Sequence, residues 1–379
     1  MGTTVLVTGA LGFVGRNLGV FLRQQEDVRL LEIDVDSPPE ALDKGLRDSD
    51  AIFHLAGVNR PEKSEEYTIG NTGFTEEICA RLKILGRAPI IIFSSSIQAE
   101  LDNLYGVSKR QAEEVLLRFA EETGAKVVIF RMKNVFGKWC RPNYNSVVAT
   151  FCHNIAHNLP ISISDPAKEI DLVYVDDVCA AMMDAAGLGQ SPSTHRIGSL
   201  NGIYAEIAPS FKITLNELAD MIRSFRDARA SLRVPAFDNP LVRRLYATYL
   251  SYLEGTDFVY ALDVKTDNRG NLAEFLKSSS FGQVFVSLTK PGITRGNHYH
   301  HTKTEKFLVV QGEAVIRFRH ILGSEIIEHQ VRGDEFRVVD IPPGYTHSIE
   351  NIGEIELVTL FWASEIFDPG NPDTYFCEV

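Results

Sequence analysis

The sequence has no run of about 18 consecutive apolar residues, the length a membrane-spanning helix needs. Its first residues, MGTTVLVTGA, lack the basic region and following apolar stretch of a secretion signal. Basic residues are also in deficit. Lysine and arginine number 38 against 50 aspartates and glutamates, a net charge of −12 that offers no basic face to nucleic acid or anionic lipid. Cysteine is sparse: five residues, at 79, 140, 152, 179 and 377, odd in number and without paired spacing. That excludes a disulfide framework and suits a reducing cytosol. Repeats and low-complexity segments are absent too. These absences predict a soluble, cytoplasmic protein, and 44% apolar with 23% charged residues is an ordinary globular balance. At 379 residues the chain exceeds one usual core, so two domains are expected.

The first half alternates short apolar runs (TVLVTG, VRLLEID, AIFHLAG, PIIIFSSS, KVVIFRM) with helical patterns such as RNLGVFLRQQ and SKRQAEEVLLRFAEETG. Strands apolar along their whole length are buried on both faces, and helical crossovers between them imply a parallel sheet. From about residue 275 the texture changes to short strands (GQVFVSLT, EKFLVVQG, EAVIRFRH, EIELVTLFWA) punctuated by Gly, Pro and Asp, as in an antiparallel barrel. The boundary is placed near residue 245, giving domains 1–245 and 246–379.

Gly9, Gly12 and Gly15 in VLVTGALGFVGRNL lie between the first strand and first helix. There a tight turn, close approach of backbone to a pyrophosphate and close helix–strand packing are all needed, so Gly9, Gly12, Phe13, Val14 and Gly15 are read as cofactor-binding. Asp34, at the end of the next strand, is placed to accept the ribose hydroxyls of NAD and to repel a 2′-phosphate. Helix capping is its alternative role. Arg60 could serve that phosphate instead, which leaves NAD against NADP open. In NLYGVSK, Tyr105 and Lys109 are four apart and so share a helix face. An ammonium beside a phenol favours the phenolate, and Ser96, ending FSSS, can bond a substrate oxygen. Together these are the proton donor, its tuner and the oxyanion partner that hydride transfer to a ketone requires.

These motifs resemble the short-chain dehydrogenase/reductase superfamily, in its extended branch acting on nucleotide sugars, over about the first 240 residues. The resemblance implies a Rossmann-type α/β fold, with Ser96, Tyr105 and Lys109 catalytic and Asn71 in IGNTGF backing the lysine through water. It also makes RMKNVFGKW a substrate-positioning segment with Arg131 and Asn134, and the acids of VYVDDV structural. Two departures stand out. Dehydratases of this branch carry Asp-Glu after the catalytic serine or threonine, where this chain has Ile97 and Gln98, so dehydration is disfavoured. The interval from Ser96 to Tyr105 is also unusually short.

In GITRGNHYHHTKTEKFLVVQG, His298 and His300 are two apart and on a strand would face the same way. Glu305 begins the next strand and His347 follows the Pro-Gly turn of IPPGYTHSIEN. Three imidazoles and a carboxylate form a divalent-metal set, zinc foremost, with iron, manganese or nickel as alternatives. The spacing of both stretches resembles the two cupin motifs, which implies an all-β barrel. DNRGNLAEFLK resembles the opening of cupin-fold 3,5-epimerases of 4-keto deoxysugar nucleotides. Metal at the cluster would polarise a C4 carbonyl and stabilise an enolate. Tyr299, Tyr345 and His320 are candidates for the base.

The pairing of an extended reductase with a metal cupin, together with HLAGVNRPE, FGKWCRPNYNSVVATFC, TEKFLVV and the terminal DPGNPDTYFCEV, resembles the CapF-type capsular polysaccharide synthesis enzymes nearly end to end. That implies a bifunctional enzyme on a UDP-linked 2-acetamido-2,6-dideoxy-4-ketohexose. The cupin would epimerise C3 and the reductase domain would reduce C4 with NADPH (NADH being possible), towards UDP-N-acetyl-L-fucosamine. A homodimer is the default for such barrels. Two other readings stay open: a simple 4-ketosugar reductase with a structural or dimerising cupin, and a non-catalytic NADP-binding redox sensor, against which the intact Ser96, Tyr105 and Lys109 argue.

Overall fold

The structure is a computed structural model and describes residues 2–189, 197–201 and 204–379. Contacts divide the chain into two compact units, one comprising Met1–Arg223 with Arg244–Leu253 and the other Ser224–Arg243 with Glu254–Val379. Residue 245, read above as a boundary, lies inside the helix Pro240–Leu250.

In the first unit a seven-stranded sheet runs in the order Val28–Ile33, Thr3–Thr8, Ala51–His54, Ile90–Ser96, Val127–Met132, Tyr204–Ile207, Ile197–Asn201. Its pairings are parallel except the last, between Tyr204–Ile207 and Ile197–Asn201, which is antiparallel. The expected parallel sheet is thus present, and the reason is visible in its first strand. Val5 and Val7 enter one core with Leu18, Leu22, Val178 and Met182 from the helices Phe13–Arg23 and Val175–Ala185. Leu6, one residue out of phase, enters the opposite core with Leu46, Ile78, Leu116 and Phe119. A strand covered on both faces has no polar side, which is why alternation is missing from its sequence. Burying a phenylalanine such as Phe53 or Phe130 stabilises the unit by roughly 1.5–3 kcal/mol.

The second unit carries two antiparallel sheets. One has six strands: Val264–Asp267, Gly270–Ser278, Gly282–Thr289, Leu357–Ala363, Glu305–Gln311 and Val338–Ile341. The other has five: Ile326–Arg332, Glu313–His320, Tyr345–Asn351, Thr294–Tyr299 and Tyr375–Phe376. Alternate residues, Phe307 and Val309 on one strand, Ile316 and Phe318 on another, with Ile349 and Phe361, form the core. This is the period-2 pattern of a cupin-like β domain.

Candidate active site and metal centre

The strands Thr3–Thr8, Val28–Ile33, Ala51–His54 and Ile90–Ser96 lead at their carboxyl ends into the segments that build the first site. The helix Phe13–Arg23 is capped by Gly12 with no side chain bonded to its first turn, so those N–H groups are left for an anion. They adjoin a cleft of about 1290 Å³ lined by Gly9, Gly12, Asp34, Ala56 and Gly57 among others. Asp34 lines the cleft and also ties its loop together: Oδ2 accepts from Leu11 N–H at 2.7 Å and Oδ1 from Val35 N–H at 2.9 Å. Phe13 and Val14 pack half-buried against the core. Arg60 lies elsewhere, exposed, its guanidinium 5.9 Å from the Tyr144 ring, and does not line this cleft.

Tyr105 and Lys109 sit in the first turns of the helix Leu104–Thr123, whose N-cap Asn103 accepts from Gly106 N–H at 2.8 Å. Lys109 is buried and donates to Ser94 O at 3.0 Å. Burial lowers its pKa to about 8, partly countered by Glu113. A Cβ on Gly57 would lie 2.7 Å from Asn71 Oδ1 and 2.9 Å from Lys109 Nζ, so a side chain there would displace both groups. Asn71 lies in a π-helical turn, Thr68–Gly73. Its side chain bonds the Val58 N–H at 2.9 Å, Val58 O at 3.0 Å and Ser108 Oγ at 2.9 Å. The Tyr105 hydroxyl is hydrogen-bonded to Ser96. Burial raises the phenol's pKa, the Ser96 bond works the other way, and Tyr67 raises it further. Lys109 is not among the causes of this shift. The phenol is therefore held protonated, as a proton donor must be.

Ser96 and Tyr105 are joined by the short helical turn Ile97–Glu100. The first residues of the long helix press on that turn so closely that a Cβ on Gly106 would fall 2.1 Å from Gln98 O.

Arg131 makes its contacts within the protein. Expected to position substrate, it is committed to a buried carboxylate. Its Nε is 3.0 Å from Glu113 Oε1 and its Nη2 is 2.6 Å from Glu113 Oε2, while Nη1 reaches Glu100 at 3.1 Å. Glu113 also accepts from Tyr204 at 3.1 Å and from the Ser95 hydroxyl. Asn134 donates to Asp171 O at 3.0 Å. The acids of VYVDDV pair with cations, Asp177 with Arg244 at 2.8 Å and Asp176 with Lys138.

In the second unit, one atom each from His298, His300, Glu305 and His347 lies within 4.8 Å of the others. His298 and His347 are cross-strand partners. A bulge between Gly296 and His298, with Asn297 at φ 59°, precedes the pair of histidines. The Nε2 atoms of His300 and His347 each stand 3.4 Å from Glu305 Oε2. Both nitrogens are buried and without a hydrogen-bond partner. Buried orphan nitrogens beside a carboxylate are costly unless a cation takes their lone pairs, so the set fits a divalent metal. Burial lowers the pKa of His298 to about 4, with His347 adding to the effect. Burial alone would raise that of Glu305, but the two imidazoles bring it down to about 2. Neutral imidazole and ionised carboxylate are the forms that bind metal. Of the candidate bases, Tyr345 shares a strand face with His347 and stands 5.0 Å from the His320 ring, centroid to centroid. Tyr299 faces the other way, against His301 and Tyr375.

The profile of the NAD dependent epimerase/dehydratase family matches residues 5–198, and that of the Polysaccharide biosynthesis C-terminal domain residues 265–375. UDP-2-acetamido-2,6-beta-L-arabino-hexul-4-ose reductase of Pseudomonas aeruginosa is 46% identical over 376 residues, covering 99% of this chain and 98% of the relative. The crystal structure of capsular polysaccharide assembling protein CapF from Staphylococcus aureus superposes with a TM-score of 0.91 at 48% identity, covering 99% of this chain and all of that one (100%). The chain is a CapF-type member of the NAD dependent epimerase/dehydratase family. UDP-glucuronic acid 4-epimerase from Bacillus cereus, at 17% identity and a TM-score of 0.55 over 66% of the CapF-type chain, is a likeness of fold alone.

Glu113 was missed by the sequence reading of this CapF-type chain, although a signal was there. It continues the Tyr105, Lys109 stripe at the same four-residue spacing, and its burial follows from that face. Removing it strips Arg131 of its buried partner, so Glu113→Ala is expected to cost about 3–5 kcal/mol of unfolding free energy, measured by urea denaturation. A loss within about 1 kcal/mol would mean that the pair is solvated like a surface one.

Proposed function

We propose that this chain is a bifunctional enzyme of capsule or O-antigen precursor synthesis, acting on a UDP-linked 2-acetamido-2,6-dideoxy-4-ketohexose. The histidine–glutamate cluster serves epimerisation at C3, and the Ser96, Tyr105, Lys109 site serves reduction of the C4 ketone, towards UDP-N-acetyl-L-fucosamine. One observation carries this reading. A single chain holds both a protonated tyrosine with a buried lysine one helical turn away and four converging metal donors. The name of the Pseudomonas aeruginosa relative, a hexul-4-ose reductase, supports the reductase half.

Ser96 hydrogen-bonds the ketone oxygen and fixes its orientation. Tyr105 passes its phenolic proton to that oxygen as C4 gains hydride, so the carbonyl becomes a secondary alcohol. Lys109 stabilises the phenolate left behind. The reduced nicotinamide, when bound, supplies the hydride. We read it as NADPH, with NADH as the alternative that the Asp34 carboxylate in the cleft favours. At the other site a divalent cation, zinc first, held by His298, His300, Glu305 and His347, would supply the Lewis acidity that acidifies C3–H. Tyr345 and His320 are the chain's own groups on that face for removing and returning the proton.

Lys109 must keep its charge to do this, and its pKa lies near 8. Its protonated fraction is full well below that value and falls as pH rises through it. Initial rates of NADPH oxidation between about pH 6 and pH 10 are therefore expected to decline with an alkaline limb near 8, and Lys109→Arg, whose charge persists, to abolish that limb. The overall test incubates the protein with the 4-keto sugar nucleotide in deuterated water, with and without NADPH, followed by NMR. Deuterium next to the ketone without NADPH and an alcohol with it are expected. No deuterium in either arm removes the epimerase half, and no NADPH oxidation removes the reductase half.

A further inference from the structure

The C-terminal segment approaches the histidine cluster from 70 residues away along the chain, and one residue makes most of the contacts. Asp373 Oδ1 accepts from the His301 N–H at 2.9 Å. Its Oδ2 accepts from the Thr302 N–H at 2.9 Å, the Thr302 hydroxyl at 3.0 Å and the Lys303 N–H at 2.8 Å. Its main-chain carbonyl, meanwhile, accepts from His300 Nδ1 at 2.6 Å. Lys303, buried, closes the same segment from the other side through Pro372 O at 2.8 Å and Thr374 Oγ1 at 3.0 Å. Beyond Asp373 the strand Tyr375–Phe376 pairs with His298 and Tyr299. Asp373 is held at φ 39°, a left-handed conformation that a non-glycine residue keeps only where its surroundings fix it.

Only an Nδ1–H can donate to a carbonyl, so this contact sets the His300 tautomer and leaves the Nε2 lone pair facing Glu305 and His347. We propose that Asp373 is a positioning residue for the metal cluster. Its carboxylate locks the turn 301–303, its carbonyl holds His300 as the Nδ1–H tautomer, and the C-terminal segment acts as a clasp that sets cation affinity. The proposal rests on the metal-binding reading of the cluster and is independent of what reaction the cluster serves. Second partners of metal-bound histidines are typically worth about ten- to a hundredfold in affinity.

Two measurements on the full-length protein test it. In metal-stripped, 15N-histidine-labelled protein, imidazole correlation spectra assigned with a His300→Gln variant are expected to show His300 as Nδ1–H, and Asp373→Ala to show exchanging tautomers. Competition with a chromophoric chelator for Zn2+ is expected to show affinity about ten- to a hundredfold weaker in Asp373→Ala. Asp373→Asn, which keeps an acceptor for the 301–303 turn, should recover part of that loss and guards against a variant that merely misfolds. A wild-type His300 in the Nε2–H form, or unchanged zinc affinity in Asp373→Ala, overturns the proposal. If the wild type binds no zinc, the metal reading falls and the proposal with it, whereas a zinc-binding wild type matched in affinity by Asp373→Ala overturns the proposal alone.

Discussion

Tyr105→Phe is expected to lower NADPH-dependent reduction by about 10²–10⁴-fold while leaving metal-dependent deuterium exchange next to the ketone at its wild-type rate. The size follows from the group removed. Ser96 still orients the ketone, but O4 then has no proton donor in place, and burial keeps water a poor substitute. The hydroxyl is bonded to Ser96 and the ring stands 5.9 Å from Tyr67, so its loss leaves the packing of the ring unchanged. Cofactor binding, followed by NADPH fluorescence, should therefore persist, which separates a chemical defect from a structural one. Exchange and reduction vanishing together in folded Tyr105→Phe protein would sink the division of labour between the two sites.

The reciprocal experiment removes the cation. Treatment with chelator, or His300→Ala, is expected to abolish exchange and retain reduction of sugar that has already been epimerised. A thermal signature should accompany it. A ligand at 1,000 times its dissociation constant stabilises the folded state by about 4 kcal/mol, so added zinc should raise the Tm of the wild type and not of His300→Ala. His298 and Glu305 favour this outcome. With imidazole pKa near 4 and carboxyl near 2, neither proton competes with a metal at neutral pH. Retention of exchange after complete chelation would make the cation dispensable to the proton transfer and leave it a structural role.

Much of this was legible in the sequence because the relevant groups are close along the chain or follow a fixed period. Tyr105 and Lys109 converge through one helical turn, and His298 and His300 through the strand period. Glu305 and His347 were found by motif spacing. What escaped were partners set by tertiary packing. Arg131 looked available because nothing in RMKNVFGKW announces that Glu113, on another element, claims its guanidinium. Asp373 left no local trace, since a carboxylate capping three N–H groups of a distant turn has no periodicity. The π-helical turn holding Asn71 and the bulge before His298 are likewise backbone irregularities that binary patterning cannot express.

The contact between Gly106 and Gln98 O bears on how such a chain can diversify. Ser96 and Tyr105 sit on opposite ends of a strut whose length is fixed by main-chain contact, with no slack for an inserted residue. Ile97 and Gln98, by contrast, expose their side chains on that strut. Lengthening this connection would pull the two hydroxyls apart before it altered what lies above them, whereas exchanging its outward side chains leaves their spacing untouched. In this chain, variation at this corner that keeps the short interval is thus variation by substitution.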